Sequence, residues 1–386
     1  MGRRKHNQRL NLTSGVADES MSCDRSEGIA LDQDELVSVI VPAFNAEKWI
    51  TETLSCIAAQ TYSDIEVLVV DDGSTDSTPD LVNRFVESDA RFHLITKSNG
   101  GVASARNLGI ELARGRLIAP CDADDLWSSN KLELQVEAWK RAGPNVGLVY
   151  CRSASIDSDS LILELPITPL HRGRVLIDMC RANLIGNGSS TLMRRDAVLA
   201  AGGYDASLRV RNAEGCEDFK LYLQLSADYD FDYVSDYCVG YRQTPSNMSS
   251  GAFRMIRSQD IVIGEFLEQF PHLKREFQWN QSWFLNWLRR KSITNGRYLE
   301  SLGMLFKMIM RYPGITARIL VESELVPAFQ RTGWDLKISP TMHPSARAFQ
   351  GQHFRSLNAD CPKRDHQHSL HIQAPAPEDA ETRGRL

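Results

Sequence analysis

The sequence predicts an α/β fold with a mainly parallel central sheet, followed by a helical section. Three observations point there. Short apolar runs alternate with segments of helical spacing from residue 37 to residue 121. Two of those runs end in clusters of acidic residues. From about residue 252 only helical spacing remains. Strand–helix alternation of this kind places helices on both faces of a parallel sheet.

The elements follow in order. Val37-Ser38-Val39-Ile40-Val41 is strand-like, and Pro42-Ala43-Phe44-Asn45 is a turn. Residues 46–59 have helical spacing, with Trp49, Ile50, Leu54 and Ile57 on one face. Ile65 to Val70 is the second strand. Residues 77–87 are a helix with Pro79 in its first turn, where the missing N–H costs nothing. Residues 91–96 are a strand, 101–113 a helix ending near Gly115, and 116–121 the fourth strand. Beyond about residue 145 the alternation is irregular. Strand character is read at 146–153, 189–194 and 229–242, and helix at 216–226. In the helical section Leu302, Leu305, Phe306 and Ile309 fall at i, i+3, i+4, i+7.

Composition bounds the class. A hydrophobic content of 42% and a charged content of 24% are those of a globular protein, and a net charge of −5 argues against a nucleic-acid partner. No apolar run approaches the ~20 residues of a spanning helix. Arg3-Arg4 precedes no apolar stretch, so no secretory or twin-arginine signal is read. The eight cysteines are scattered without a C-x-x-C pair, as expected of small buried hydrophobes in a reducing, cytoplasmic compartment. Residues 1–35 and 336–386 are polar and aperiodic and are expected to be disordered tails. The second tail carries His366, His368 and His371, for which solvation is expected rather than a metal site. That leaves 36–250 as the main domain and 251–335 as the helical section.

The acidic clusters are Asp71-Asp72-Gly73-Ser74-Thr75-Asp76 and Asp122-Ala123-Asp124-Asp125. Clustered carboxylates repel one another and are costly to bury unpaired. The carboxyl ends of neighbouring strands in an open α/β sheet face the ligand crevice. Together these suggest a site for a metal-bound nucleotide. Residues two apart on a strand project to the same side, so Asp122 and Asp124 can both face it. Other readings stay open: Asp71 to Ser74 as a plain strand-to-helix turn, Asp76 or Ser77 as a helix cap, and Asp125 as the start of the next helix.

Further motifs stand at the ends of predicted elements: Val41-Pro42-Ala43-Phe44-Asn45, Asn99-Gly100-Gly101 leading to Arg106-Asn107, Gly202-Gly203-Tyr204-Asp205, and Cys216-Glu217-Asp218-Phe219. In this order and at these intervals, with the two acidic clusters, the set resembles a family 2 glycosyltransferase over roughly residues 36–250. The resemblance implies a GT-A nucleotide-binding sandwich and inverting sugar transfer from a nucleotide-sugar donor, most commonly a UDP-sugar, to a glycan or lipid-linked acceptor. It places Pro42, Phe44, Asn45 and Asp72 at the nucleobase and ribose, where the family more often has Tyr at the position of Phe44. It puts Asp122 on the sugar nucleotide, Asp124 on a Mn²⁺ or Mg²⁺ ion, and Asp218 in the role of catalytic base. Arg242 and the loop after it fall near the diphosphate. Arg106 either approaches the diphosphate or pairs with an acidic cluster. A catalytically silent nucleotide-sugar binding or scaffold protein and a sugar nucleotidyltransferase are the rival readings. The latter normally has a Gly-rich basic loop after its first strand, which Pro42 to Asn45 is not.

The helical section holds Trp283, Phe284, Trp287, Arg289, Arg290 and Lys291, then Leu302 to Arg311. Aromatic and basic residues together suit peripheral attachment at the inner face of the cell membrane. Ordinary packing on the catalytic core is the alternative.

Overall fold

The computed structural model describes residues 35–166, 169–244, 251–321 and 350–354. Most of the two tails read from the sequence, and residues 245–250 of the loop after Arg242, lie outside them. The first part alternates as the pattern requires: β1 (Val37–Ala43), α1 (Ile50–Ala58), β2 (Ile65–Asp71), α2 (Thr78–Ser88), β3 (Phe92–Thr96), α3 (Val102–Leu112) and β4 (Leu117–Pro120). Every residue of β1, β2 and β4 is buried, which is why they read as unbroken apolar runs. β1 pairs in parallel with β2 and β4, and β2 with β3.

The irregular stretch folds as β5 (Leu126–Trp127), α4 (Lys131–Arg141), β6 (Val146–Ile156), β7 (Ile162–Glu164), α5 (Leu176–Arg181), β8 (Thr191–Arg194), α6 (Arg195–Ala200), α7 (Ser207–Val210), α8 (Glu217–Asp228) and β9 (Asp230–Arg242). One sheet results, in the order β3-β2-β1-β4-β8-β6-β9-β5, with β7 also paired to β6. It is parallel through β4 and mixed beyond: β8 runs antiparallel to β4 and β6, β9 parallel to β6, and β5 antiparallel to β9.

Strand alternation divides the core between the two faces of the sheet. Ile40 and Leu68 join one cluster, with Tyr204, Phe219 and Phe277; Val39, Val41, Val67 and Val69 join the other, with Leu54 and Trp127. α3 lies close to β1: a Cβ at Gly109 would come within 2.6 Å of Ile40 Cγ2. Glu66, the second residue of β2, is buried with four donors: Ser38 Oγ, Arg114 N, Arg114 Nε and Gly115 N. It thereby fixes the turn from α3 into β4. The six cysteines within the described residues are buried and free.

Four helices follow among the described residues: α9 (Ala252–Gln269), α10 (Lys274–Thr294), α11 (Tyr298–Arg311) and α12 (Pro313–Leu320). α9 is tied to the start of α8 by Cys216 N donating to Ser258 Oγ at 3.1 Å. Asn280 of α10 accepts from Gln259 and donates to the Met179 carbonyl of α5.

Residues 350–354 depart from the expectation of a disordered tail. Gly351 N donates to the Ile162 carbonyl, Ile162 N to the Gln352 carbonyl, and Phe354 N to the Ser160 carbonyl at 3.0 Å. Phe354 is 1% exposed and lies against Gly240 of β9. A short polar stretch carrying one aromatic has no periodicity to announce it. Phe354→Ala should cost about 3–5 kcal/mol in a urea titration, the usual loss for an emptied aromatic core position; a free tail would show no change.

Candidate active site

Three loops meet at the carboxyl ends of β1, β2 and β4. After β1, Asn45 takes a left-handed φ of 49° and zips this loop to the next. Its N–H donates to Ser74 Oγ and its Oδ1 accepts from Thr75 N, both at 2.9 Å. Asp76 accepts from Glu47 N and Thr78 N, closing the turn into α2. Beside this zipper Phe44 is 51% exposed, so its ring is free to stack on a ligand. Pro42 lies within β1, in register with Val70 and buried.

Asp72 is buried and its carboxylate has three donors: Gly100 N at 2.8 Å, Gly101 N at 2.7 Å and Lys97 Nζ at 2.7 Å. Asn99 Nδ2 donates to its carbonyl. Asp72 therefore holds the Asn99–Gly101 turn in place at the start of α3.

The Asp122–Asp125 loop is suspended from several elements. Thr53 Oγ1 of α1 donates to the carbonyls of Ala123 and Asp125, at 3.0 and 2.9 Å. Ser189 Oγ accepts from Asp122 N and donates to Asp125 Oδ2 at 2.6 Å. Asp125 Oδ1 accepts from Arg242 N. Asp125 is thus a buried anchor of the loop and not the cap of a following helix. Burial, then the charges of Asp124 and Asp122, hold its carboxyl well above the usual range.

Arg242 corrects an expectation. Its side chain is fully buried behind the loop instead of facing a diphosphate. Nε donates to the Asp124 carbonyl at 2.7 Å, Nη1 to the carbonyls of Asp157 and Ser158, and Nη2 to Glu52 Oε2 and Ser160 Oγ. With those acceptors around it, the guanidinium positions the loop from the interior.

Asp122 and Asp124 remain partly exposed. Asp124 makes no ion pair among the described residues. Burial first, and the Asp122 charge second, push its carboxyl up to about 6. Two crowded oxygen donors open to solvent on one side fit a divalent cation that takes few protein carboxylates and completes its shell with phosphates.

Arg106 joins this loop to the far side of the cleft. From α3, 3% exposed, it donates through Nη2 to Asp122 Oδ1 at 2.5 Å and through Nη1 to Glu217 Oε1 at 3.2 Å. Its guanidinium stands 5.0 Å from the Tyr204 ring. The next residue, Asn107, grips the Tyr204 backbone from both sides, accepting from its N–H and donating to its carbonyl. That grip requires glycine at 203: φ is +70°, and a Cβ would come within 2.7 Å of Asn107 Oδ1. Of the two roles expected of Arg106, pairing with acidic clusters is the one seen, and it pairs with two.

Glu217 also accepts from Gly215 N at 3.0 Å. Asp218 follows in the first turn of α8, partly exposed, accepting from Phe219 N at 2.6 Å. Burial, and then the Glu217 charge, push it up to about 7. A cleft bounded by Gly100, Gly101, Asp205, Arg209, Glu214 and Glu217 opens beside this turn.

The structure thus brings Arg106, Asp122 and the Glu217-Asp218 pair together, and Phe44 and Asn45 against the Asp71–Asp76 loop. Sequence reasoning missed Ser189, Thr53 and Glu52, which have no motif of their own. Glu217 was visible as a motif letter but without its arginine partner.

A family model described as Glycosyl transferase family 2 matches residues 38–199. The UDP-Glc:alpha-D-GlcNAc-diphosphoundecaprenol beta-1,3-glucosyltransferase WfgD of Escherichia coli is 32% identical over 238 residues, which are 61% of this chain and 88% of that protein. The putative teichuronic acid biosynthesis glycosyltransferase TuaG of Bacillus subtilis (strain 168) is 42% identical over 103 residues, 26% of this chain and 41% of that one. Among solved structures, S. aureus TarS 1-349 in complex with UDP-GlcNAc aligns with a TM-score of 0.52 at 19% identity, over 84% of this chain and 90% of that chain. At that identity the likeness is one of fold.

Removing the arginine tests the clip. Arg106→Met leaves Asp122 and Glu217 without their shared counter-charge, and should cost about 3–5 kcal/mol of stability in a urea titration at neutral pH. Arg106→Lys should recover only part of it, because an ammonium is a point charge and lacks the planar fork that reaches both carboxylates.

Proposed function

We propose, for a chain that belongs to glycosyltransferase family 2, that it moves a sugar from a nucleotide-diphosphate donor, a UDP-sugar, to an acceptor hydroxyl with inversion at the anomeric carbon. The observation that carries this reading is Asp218. It is a partly exposed carboxylate pushed up to about 7, next in sequence to Glu217, which Arg106 ties to Asp122. A base with that affinity for protons is suited to accept one near neutral pH.

In the proposed reaction Phe44 stacks on the nucleobase, and Asn45 holds the loop that flanks it. Asp72 acts on the base and ribose side, in part by fixing the Gly100–Gly101 backbone. Asp122 orients the donor, and Asp124, with Asp122 beside it, would hold a Mn²⁺ or Mg²⁺ ion. Such an ion supplies charge neutralisation for the departing diphosphate. The acceptor oxygen forms its bond to the anomeric carbon as the bond to the diphosphate breaks, and Asp218 takes the acceptor's proton. One displacement inverts the configuration. Arg242 keeps its part through the position of the Asp124 backbone.

The printed activities of the relatives support an acceptor and a setting. WfgD uses UDP-Glc and acts on a GlcNAc-diphosphoundecaprenol, and TuaG is named for teichuronic acid biosynthesis. We therefore propose a lipid-linked saccharide acceptor in cell-surface polysaccharide synthesis, used at the cytoplasmic face of the membrane. No described helix is long and apolar enough to cross a membrane.

Asp218→Asn should lower the transfer rate by about 10²–10⁴-fold, the usual weight of a general base. UDP binding, read by calorimetry, should be unchanged; transfer at the wild-type rate would remove the base role. For the wild-type enzyme kcat should rise with pH through about 7, as the basic form of Asp218 accumulates. The sign for stability is the reverse. A carboxyl whose folded pKa is raised keeps its proton on folding, so its ionisation costs stability increasingly as pH rises from about 4 to about 7. Asp218→Asn should therefore melt above the wild type at pH 8 in a thermal-shift assay. Asp124→Asn should raise the Mn²⁺ concentration needed for half-maximal transfer.

A further inference from the structure

α11 turns its apolar side outward. Leu299, Leu302, Phe306, Ile309 and Met310 are 86%, 61%, 66%, 47% and 67% exposed, while Ser301, Met304 and Met308 pack inward. At helical spacing the five outward residues span an arc of about 100° that contains no charged residue. Lys307 and Arg311 stand on one flank, where they pair with Asp260 of α9. On the neighbouring α10, Trp283 and Trp287 are 39% and 44% exposed, and Lys291 lies 5.3 Å over the Trp287 ring.

Charge identifies what this face fits. Residues 274–321 carry nine Lys and Arg against two Glu, within a chain whose net charge is −5. An uncharged apolar helix face inside a strongly cationic segment with exposed tryptophans matches the boundary between acyl chains and anionic headgroups. A second copy fits less well, because it would bring two such cationic segments together. We propose that α11 is a docking helix for an anionic lipid surface. Its Leu302 and Phe306 face enters the headgroup–acyl boundary, and the exposed basic residues of α10, Lys274, Arg275 and Arg290, meet lipid phosphates. α9 is in turn tied at Ser258 to Cys216, the residue just before α8 and two before Asp218.

The docking requires no part of the functional reading and is tested without substrate. Full-length protein is floated with vesicles of phosphatidylcholine alone and with vesicles containing phosphatidylglycerol. Co-flotation is expected with the second, weakening as salt is raised. Leu302→Glu combined with Phe306→Glu should reduce vesicle partitioning by at least about tenfold, with an unchanged melting temperature in the absence of lipid. Asp218→Asn should float like the wild type, so that loss of catalysis and loss of docking remain separate results. Each of the following results overturns the proposal. One is absence of flotation with anionic vesicles, or flotation indifferent to the two glutamates. Another is a clear fall in melting temperature of that variant without lipid, which would mean that the chain itself, for instance residues 322–349, covers the face. The last is a concentration-dependent wild-type dimer that the variant abolishes, which would assign the face to a second copy.

Discussion

The site depends on one buried guanidinium. Arg106 bridges two carboxylates that lie far apart in the chain, Asp122 16 residues away and Glu217 111. A planar fork with two terminal nitrogens can hold two acids at once and keep its own charge in a dry environment. Removing that charge would leave Asp122 facing Asp124, and Glu217 facing Asp218, with no cation between the pairs. The parallel half of the sheet supplies Asp122 at the end of β4, and the helical layer supplies Glu217 at the start of α8. Through its two ion pairs Arg106 links the two layers at the point where the proposed donor and acceptor must meet.

The acids of the site outnumber the cations that reach them. Asp122, Asp124, Asp125, Glu217 and Asp218 crowd one end of the sheet, and the two arginines that reach them face inward. Burial and like charge raise Asp124 to about 6 and Asp218 to about 7. A fold selected for stability alone would replace these groups with apolar ones, since buried ionic networks seldom repay their desolvation. Their retention makes sense as a site prepared for cations and protons, the usual compromise between activity and stability.

The parallel half of the fold was legible because β1, β2 and β4 are buried on both faces and its connections are local. Each apolar run is a strand, each 3.6-residue pattern a helix, and the boundaries fall within a few residues of expectation. The other half was legible only as fragments. β8 and β9 pair with strands far away in sequence, β5 has two residues, and no periodicity reports such pairings. The site divides along the same line. Motif letters singled out Asp72, Asp122, Asp124 and Asp218 as candidates. What each side chain touches depends on contacts the sequence does not order. Arg242 reaches the Asp124 carbonyl across 118 residues, and Ser189 reaches Asp122 across 67. An arginine beside a polar loop looks the same in sequence whether it faces a phosphate or the interior.

Those interior contacts extend the site farther than any motif does. Phe354 N donates to the Ser160 carbonyl, and the Ser160 hydroxyl meets both Glu52 and Arg242. Arg242 in turn holds the Asp124 carbonyl from behind. Thr53, next to Glu52 on α1, holds the carbonyls on either side of Asp124. The loop that presents Asp124 is therefore braced by α1, by β9 and, through Ser160, by a strand-like segment near the end of the chain. A carboxylate raised by its neighbours can keep a fixed direction only if its backbone cannot retreat from them. Here the retreat is blocked by hydrogen bonds to the carbonyls of residues 123, 124 and 125, so burial first, and repulsion from Asp122 second, are expressed as proton affinity of Asp124 instead of movement.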